Sequence, residues 1–264
     1  MPTLDLPAPD PSRLAEAREA IAAARRVVVL TGAGMSAESG IATFRDALTG
    51  LWSRFNPEEL ASVEGFCAAP ERVWDWYAER REGVRRAQPN AGHEALAAWA
   101  RAHPGRMCVV TQNVDDLHQR AGQPDVVRLH GDILAVQWLD ESACRKRPRC
   151  DPAQAAEASP GRPPRCAHCG NLARPGVVWF GEALPTDALD RAQRLADECE
   201  VMLVVGTSGA VWPAAGLAGR ARRGGARVVI VNPDESEIDG QAHLVLRGTA
   251  ARALPRLLGA AVGV

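Results

Sequence analysis

At 264 residues, with 46% apolar and 24% charged side chains, the chain has the composition of a globular protein and the length of about 1.8 average domains of roughly 150 residues. Its 31 basic and 32 acidic residues nearly cancel, which excludes the broad basic surface of a protein held to nucleic acid through phosphates, so no nucleic-acid partner is expected. Wholly apolar runs, such as Val27 to Leu30 and Val201 to Val205, fall far short of the roughly 20 residues that cross a bilayer as a helix, so no membrane partner is expected either.

Met1 to Pro11 is rich in Pro and Asp and has no cationic stretch ahead of an apolar one, unlike a secretory signal, and the chain is expected in the cytoplasm. Ser12 to Arg26 carries Leu14, Ala17, Ile21 and Ala24 at helical spacing and leads into the buried-strand run Val27 to Leu30, then the turn Thr31-Gly32-Ala33-Gly34. Leu51 to Gln88 has helical patterning, with Trp74, Trp76 and Tyr77, and no strand-like run. Beyond it come a helix (Ala91 to Arg101) and two strands (Met107 to Thr111, Val126 to Leu129). Leu139 to Arg174 is dense in Arg, Pro, Cys and Ala; so short and polar a piece needs a staple to fold. The remainder alternates again: helix Thr186 to Glu198, strand Val201 to Val205, helix Pro213 to Arg223, strands Arg227 to Val231 and Leu244 to Leu246. This rhythm predicts an α/β fold, a Rossmann-like parallel sheet with helices on both faces. The sheet lobe takes about 12–45, 91–132 and 176–264, and a small lobe takes a helical module (46–90) and a metal module (133–175).

Gly32-Ala33-Gly34 after a buried strand can bring backbone amides to a pyrophosphate, although Ala37 stands where the dinucleotide fingerprint has its third glycine and no acidic residue near Gly50 is placed for ribose. A plain strand-to-helix turn is the alternative. Gln112, Asn113 and Asp115 follow a strand end as short polar side chains able to bind ribose hydroxyls and a carboxamide, or to cap the next helix. His130 stands between a predicted strand and a glycine, at the sheet edge where open α/β folds bind ligands. Of seven cysteines, Cys166-Ala167-His168-Cys169 has the two-residue gap with which two thiolates share a zinc, and Cys144 and Cys150 complete a four-thiolate structural site; His168 is a substitute ligand. Cys67, Cys108 and Cys199 read as isolated thiols in apolar contexts. Tyr77 and Arg80 share one helix face.

The stretch from Gly32 through Gly34-Met35-Ser36-Ala37-Glu38-Ser39-Gly40 to Thr43-Phe44-Arg45 resembles the nucleotide-binding signature of the sirtuins, the NAD-dependent protein lysine deacylases. The likeness recurs at Thr111-Gln112-Asn113-Val114-Asp115-Asp116-Leu117-His118, at His130-Gly131, at Pro175-Gly176-Val177-Val178-Trp179-Phe180-Gly181-Glu182, at Gly206-Thr207-Ser208 and at Asn232-Pro233, covering nearly the whole chain after Ser12 as a single catalytic domain. The resemblance implies that NAD is a consumed co-substrate held by Gly32, Ala33, Gly34, Ser36, Ala37, Thr43, Phe44, Arg45 and Trp52, with Phe44 shielding the reactive sugar and Arg45 contacting phosphate or orienting the loop. It also assigns to NAD the residues Gln112, Asn113, Asp115, Gly206, Thr207, Ser208, Asn232, Pro233, Asp234 and Ala250. His130 becomes the base that activates a ribose hydroxyl, while His93 and His118 match positions of packing and hydrogen bonding.

Acyl-lysine peptides or proteins are the implied partners of a monomeric enzyme, bound by strand addition along Val177, Val178, Phe180, Gly181 and Glu182. Tyr77-x-x-Arg80 resembles the pair of the branch that removes succinyl and malonyl groups, and Ala61 stands where other branches have a bulkier residue. The implied products are nicotinamide, free lysine and O-acyl-ADP-ribose, with one structural zinc in the protein. The rival readings are a mono-ADP-ribosyltransferase, a zinc-stabilised nucleic-acid module using Arg145 to Arg149, and a hydride-transferring dehydrogenase.

Overall fold

The computed structural model of the protein describes residues 10–42, 57–140, 150–158 and 162–259. In chain order their elements are α1 (Pro11–Ala23), β1 (Val27–Thr31), α2 (Pro57–Leu60), α3 (Val63–Ala68), α4 (Pro70–Arg86), α5 (Ala91–Ala102), β2 (Met107–Thr111), α6 (Leu117–Arg120) and β3 (Val126–Arg128). There follow β4 (Gly131–Trp138), α7 (Pro152–Ala158), β5 (Ala173–Val177), α8 (Thr186–Glu198), β6 (Val201–Val205), α9 (Gly216–Arg223), β7 (Arg227–Val231), β8 (Leu244–Leu246) and α10 (Ala250–Leu258). None of the described helices is long and apolar enough to cross a membrane.

The chain forms two compact units. In the first, built from 10–42, 87–129 and 184–259, the strands make a wholly parallel sheet in the order β3-β2-β1-β6-β7-β8. Successive side chains of a strand face opposite sides, so Val27 and Val29 pack with Ile21, Leu96, Trp99 and Leu254 in one core, and Val28 and Leu30 pack with Met202, Leu217 and Ile230 in the other. Cores on both faces explain why these strands read as continuous apolar runs rather than alternating ones. Helix α1 ends at Ala23, earlier than its pattern suggests, because the Arg26 carbonyl accepts from the amides of Glu200 and Val201, opening the sheet register. Strand order reverses at β1, and in open parallel sheets the crevice beyond the strand ends at such a switch point is the ligand site.

The second unit comprises 57–86, 130–140, 150–158 and 162–183. The division falls at Leu129–His130 rather than after 132, and 176–183 packs here rather than with the sheet, because β4 and β5 pair antiparallel with Gly131 opposite Val177 and Trp138 opposite Ala173. Period-2 patterning is weak in both strands, which hid this pair in the sequence. Trp138, Cys150, Cys166 and Ala173 form a small apolar cluster, and the Trp138 indole donates to the Cys150 carbonyl at 2.7 Å.

Candidate active site

At the switch point two glycine turns are pressed together. Gly32 N–H donates to the Val205 carbonyl at 3.0 Å and Gly34 N–H to the Gly206 carbonyl at 2.8 Å. A Cβ on Gly32 would lie 2.7 Å from Thr207 Cβ, and one on Gly34 would lie 2.8 Å from Gly206 Cα, so these positions exclude side chains. Four of the turn's amides are therefore engaged within the protein, since Met35 and Ser36 N–H also close short 3₁₀ turns onto the Gly32 and Ala33 carbonyls. No long helix opens here, which corrects the expectation of amides at a helix N-terminus. Ala33 and Ala37 are exposed at the starts of the two 3₁₀ turns, Ala33–Met35 and Ala37–Ser39.

Behind the turn lies a buried polar chain. Ser36 Oγ donates to Asp115 Oδ2 at 2.9 Å and accepts from Asn113 Nδ2 at 3.2 Å. Asp115 Oδ1 accepts the Leu117 amide, so each carboxylate oxygen keeps a lone pair for a sugar hydroxyl. Burial raises the Asp115 carboxyl above its ordinary range, against the opposing hydrogen bonds from Leu117 and Ser36. Thr111 Oγ1 accepts from both Thr31 Oγ1 (2.8 Å) and the Asn113 amide (3.0 Å), while Thr31 Oγ1 meets His118 Nε2 at 3.1 Å. His118 and His93 stack edge to face at 4.8 Å, and His93 Nδ1 accepts the Asn90 amide in the cap of α5. Desolvation depresses both imidazoles, His93 to about 4 and His118 to about 3, so both are neutral.

Gln112 Nε2 reaches Thr207 Oγ1 at 3.2 Å, tying the ends of β2 and β6. Asn232 Nδ2 donates to the Asp234 carbonyl at 3.0 Å; Ser208 and Asp234 are exposed, and Pro233 is half-buried. Ala250, buried at the start of α10, offers its carbonyl where a Cβ on Gly92 would lie 2.9 Å away. Thr43, Phe44, Arg45, Trp52 and Cys144 lie outside the described residues.

In the second unit His130 is half-buried, two residues beyond the end of β3, and its carbonyl accepts the Val178 amide at 2.9 Å. Gly131, at φ +82°, has no room for a Cβ, which would lie 2.3 Å from the Gly176 carbonyl oxygen. The segment expected to receive substrate by strand addition is a turn with most of its donors engaged: Val178 N–H to His130, Phe180 N–H to the Ala61 carbonyl (2.9 Å), Glu182 N–H to the Trp179 carbonyl and Trp179 N–H to Glu182 Oε2. Among these residues the Gly181 amide has no such partner, whereas the Trp179 carbonyl accepts from Glu182 and the Val177 carbonyl from Arg174. Glu182, expected on substrate, instead holds Arg174 through two contacts, 2.5 and 2.8 Å; burial pushes its carboxyl up, but the bonds from Arg174 and the Trp179 amide together keep it below the ordinary range. Arg174 also donates to the Val177 carbonyl and lies 3.5 Å over the Trp179 ring. Tyr77 and Arg80 share the face of α4 as expected; Tyr77 is buried, Arg80 is half-buried with its guanidinium 4.8 Å over Trp76, and Phe180 is exposed.

A profile of the Sir2 family matches residues 32–213. The NAD-dependent protein deacylase of Ralstonia nicotianae is 56% identical over 94% of this chain and 97% of its own length, and NAD-dependent protein deacylase 1 of Archaeoglobus fulgidus is 46% identical over 90% and 94%. A solved Sir2 homologue–NAD complex superposes with a TM-score of 0.79 at 43% identity, over 93% of this chain and 92% of the other. A structure of Sir2Tm bound to a propionylated peptide gives 0.75 at 32% identity, over 93% and 97%.

This chain belongs to the Sir2 family.

Within that family fold, Cys150 and Cys166 are buried with their sulfurs 3.4 Å apart, close enough for two thiolates to share one tetrahedral metal; Cys169 is exposed, and none of the three is in a disulfide. No group of three metal-binding side chains occurs among the described residues. Cys108 and Cys199 are buried as expected, but Cys67 is exposed on α3. Three residues that organise these segments were not picked out by the sequence patterns. Asn90 caps α5 and donates to the Met35 carbonyl (2.9 Å) and Ser39 Oγ (3.0 Å); its signal is an Asn directly before a helical pattern. Arg174 and Trp179 are the other two, and Trp179 stood unremarked inside the Val177 to Glu182 motif.

Proposed function

We propose that this chain is an NAD-dependent protein lysine deacylase that removes succinyl and malonyl as well as acetyl groups, releasing nicotinamide and O-acyl-ADP-ribose. The acidic-acyl reading is carried by one observation: the buried Tyr77 hydroxyl and the half-buried Arg80 guanidinium stand on one face of α4. The small Ala61, whose carbonyl anchors Phe180, belongs to the same unit. Desolvation lowers the Arg80 pKa and raises that of Tyr77 to about 12, so at neutral pH the pair is one cation and one neutral donor, the complement of a terminal carboxylate.

NAD, when bound, supplies the ribose carbon from which nicotinamide leaves and the hydroxyl that receives the acyl group. The buried Asp115, with Ser36 and Asn113 on it, fits that group by the lone pairs it retains, and Gln112 stands beside it on β2's exit. His130 takes the proton of the ribose hydroxyl, its main chain fixed to Val178 so that the base and the acyl-lysine segment share one frame. One zinc held by Cys144, Cys150, Cys166 and Cys169 would staple the second unit; four thiolates leave no open position, so its part is structural. The expected cytoplasmic monomer stays part of this proposal, and the near-neutral charge balance argues against a nucleic-acid partner.

The test is incubation with NAD and acetyl-, malonyl- and succinyl-lysine peptides with mass detection. Nicotinamide and O-acyl-ADP-ribose formed in equal amounts from all three peptides is the expected result. Turnover of acetyl-lysine alone overturns the acidic-acyl reading, and ADP-ribose attached to protein without peptide deacylation overturns the deacylase reading.

A further inference from the structure

The indole Nε1 of Trp179 donates to the hydroxyl oxygen of Tyr77 at 2.9 Å, and both side chains are buried. An indole N–H only donates, so the direction of this bond is fixed: Tyr77 accepts here and keeps its own proton for a different acceptor. That proton makes no hydrogen bond to a described residue.

Trp179 is itself held from three sides. Arg174 lies over its face, the Phe66 ring is 5.3 Å away, and its main-chain amide is bound to Glu182, the carboxylate that also clamps Arg174. Trp76 meets the Tyr77 ring at 4.7 Å and carries the Arg80 guanidinium on its own face, so both members of the acyl-recognising pair rest on tryptophan.

We propose that Trp179 is a positioning residue for acyl selection: by occupying the Tyr77 hydroxyl as a donor, it forces that hydroxyl to present its proton, which favours an acyl terminus that accepts, a carboxylate, over one that ends in a methyl group. This rests on the acidic-acyl reading above. Donation into the phenol oxygen also polarises the O–H, and chains of hydrogen bonds strengthen one another in this way. Without Trp179 the hydroxyl is free to turn and to accept, and its preference for a carboxylate is lost.

The chain has a single tyrosine, so ¹³C-tyrosine labelling yields one Cζ resonance that belongs to Tyr77. In the wild-type protein a succinyl-lysine peptide should move that resonance and an acetyl-lysine peptide should leave it in place; equal movement with both overturns the proposal without any variant needing to fold. Trp179→Phe should lower the ratio of kcat/KM for succinyl- over acetyl-lysine about three- to tenfold, the worth of one hydrogen bond, with the change in the KM for succinyl-lysine. In a Tyr77→Phe background the same substitution should leave the ratio unaltered, because the partner is gone. A ratio that Trp179→Phe does not change, or changes as much without the Tyr77 hydroxyl, overturns the proposal while Arg80→Met still lowers it. If neither Arg80→Met nor Tyr77→Phe alters the ratio, the acidic-acyl reading fails instead.

Discussion

Gly34 donates its amide to the Gly206 carbonyl at 2.8 Å, and a methyl group on Gly206 would lie 2.5 Å from the Gly34 carbonyl carbon and the Met35 nitrogen. Gly206 also has φ +62°, the left-handed region. Gly206→Ala therefore combines backbone strain with overpacking and should cost about 3 kcal/mol or more in urea denaturation, with weakened NAD binding. Gly83 on α4 has open space around its Cα, so Gly83→Ala should raise stability by about 0.5 to 1 kcal/mol. A Gly206→Ala protein as stable as the wild type would contradict the close approach of the two turns.

His130→Ala should lower deacylation about 10²- to 10⁴-fold, the usual contribution of a positioned base. The fold should survive, since Val178 is bound by the main chain of His130 and not by its ring. NAD affinity by calorimetry should stay within a few-fold, and undiminished turnover would remove His130 from the mechanism.

Arg80→Met deletes the cation of the acyl pair. Leaving a shielded carboxylate without its partner costs on the order of 2 to 5 kcal/mol, and each 1.4 kcal/mol is about tenfold. The kcat/KM for succinyl-lysine should fall at least about tenfold, mainly through KM, while acetyl-lysine has no carboxylate to lose. Equal losses for both substrates would make Arg80 a structural residue only.

Elemental analysis of the purified protein should find one zinc per chain, and Cys166→Ser should lose it together with stability, because Cys166 sits in the small core with Cys150 and Trp138. Less than about half an equivalent of zinc, with Cys166→Ser as stable as the wild type, would dispose of the site.

Two neutral buried imidazoles make the protein acid-sensitive. In the unfolded chain His93 and His118 take up protons near their ordinary 6.5, whereas in the folded state they resist until about 4 and about 3. The unfolded state thus binds more protons across that window, and stability falls as pH drops from about 6.5 toward 3, by on the order of 3 kcal/mol for His93 and about 5 kcal/mol for His118 at most. Urea denaturation at several pH values should show this slope, and His118→Asn should flatten it. An unchanged slope between pH 6.5 and 4.5 would mean that other groups carry the acid sensitivity.

Chain chemistry alone determined the strands and the positions of the polar clusters at their ends. A strand buried on both faces must be apolar at every residue, so Val27 to Leu30 and Val201 to Val205 were legible without any partner in view. The glycine turn, Asn113, Asp115 and His130 were legible because each follows such a run directly. Tertiary structure decided what those groups are used for. Gly32 and Gly34 are small because Gly206 and Thr207, far down the chain, press against them, and this pairing leaves no local pattern. The donors of Val178 to Glu182 and the carboxylate of Glu182 look available in sequence, yet the β4–β5 pairing and the burial of Arg174 engage them. The bond from Trp179 to Tyr77 joins α4 to the turn after β5, and only packing brings two residues so distant in sequence within hydrogen-bond reach. Local periodicity reports burial, but the identity of the partner depends on which elements meet.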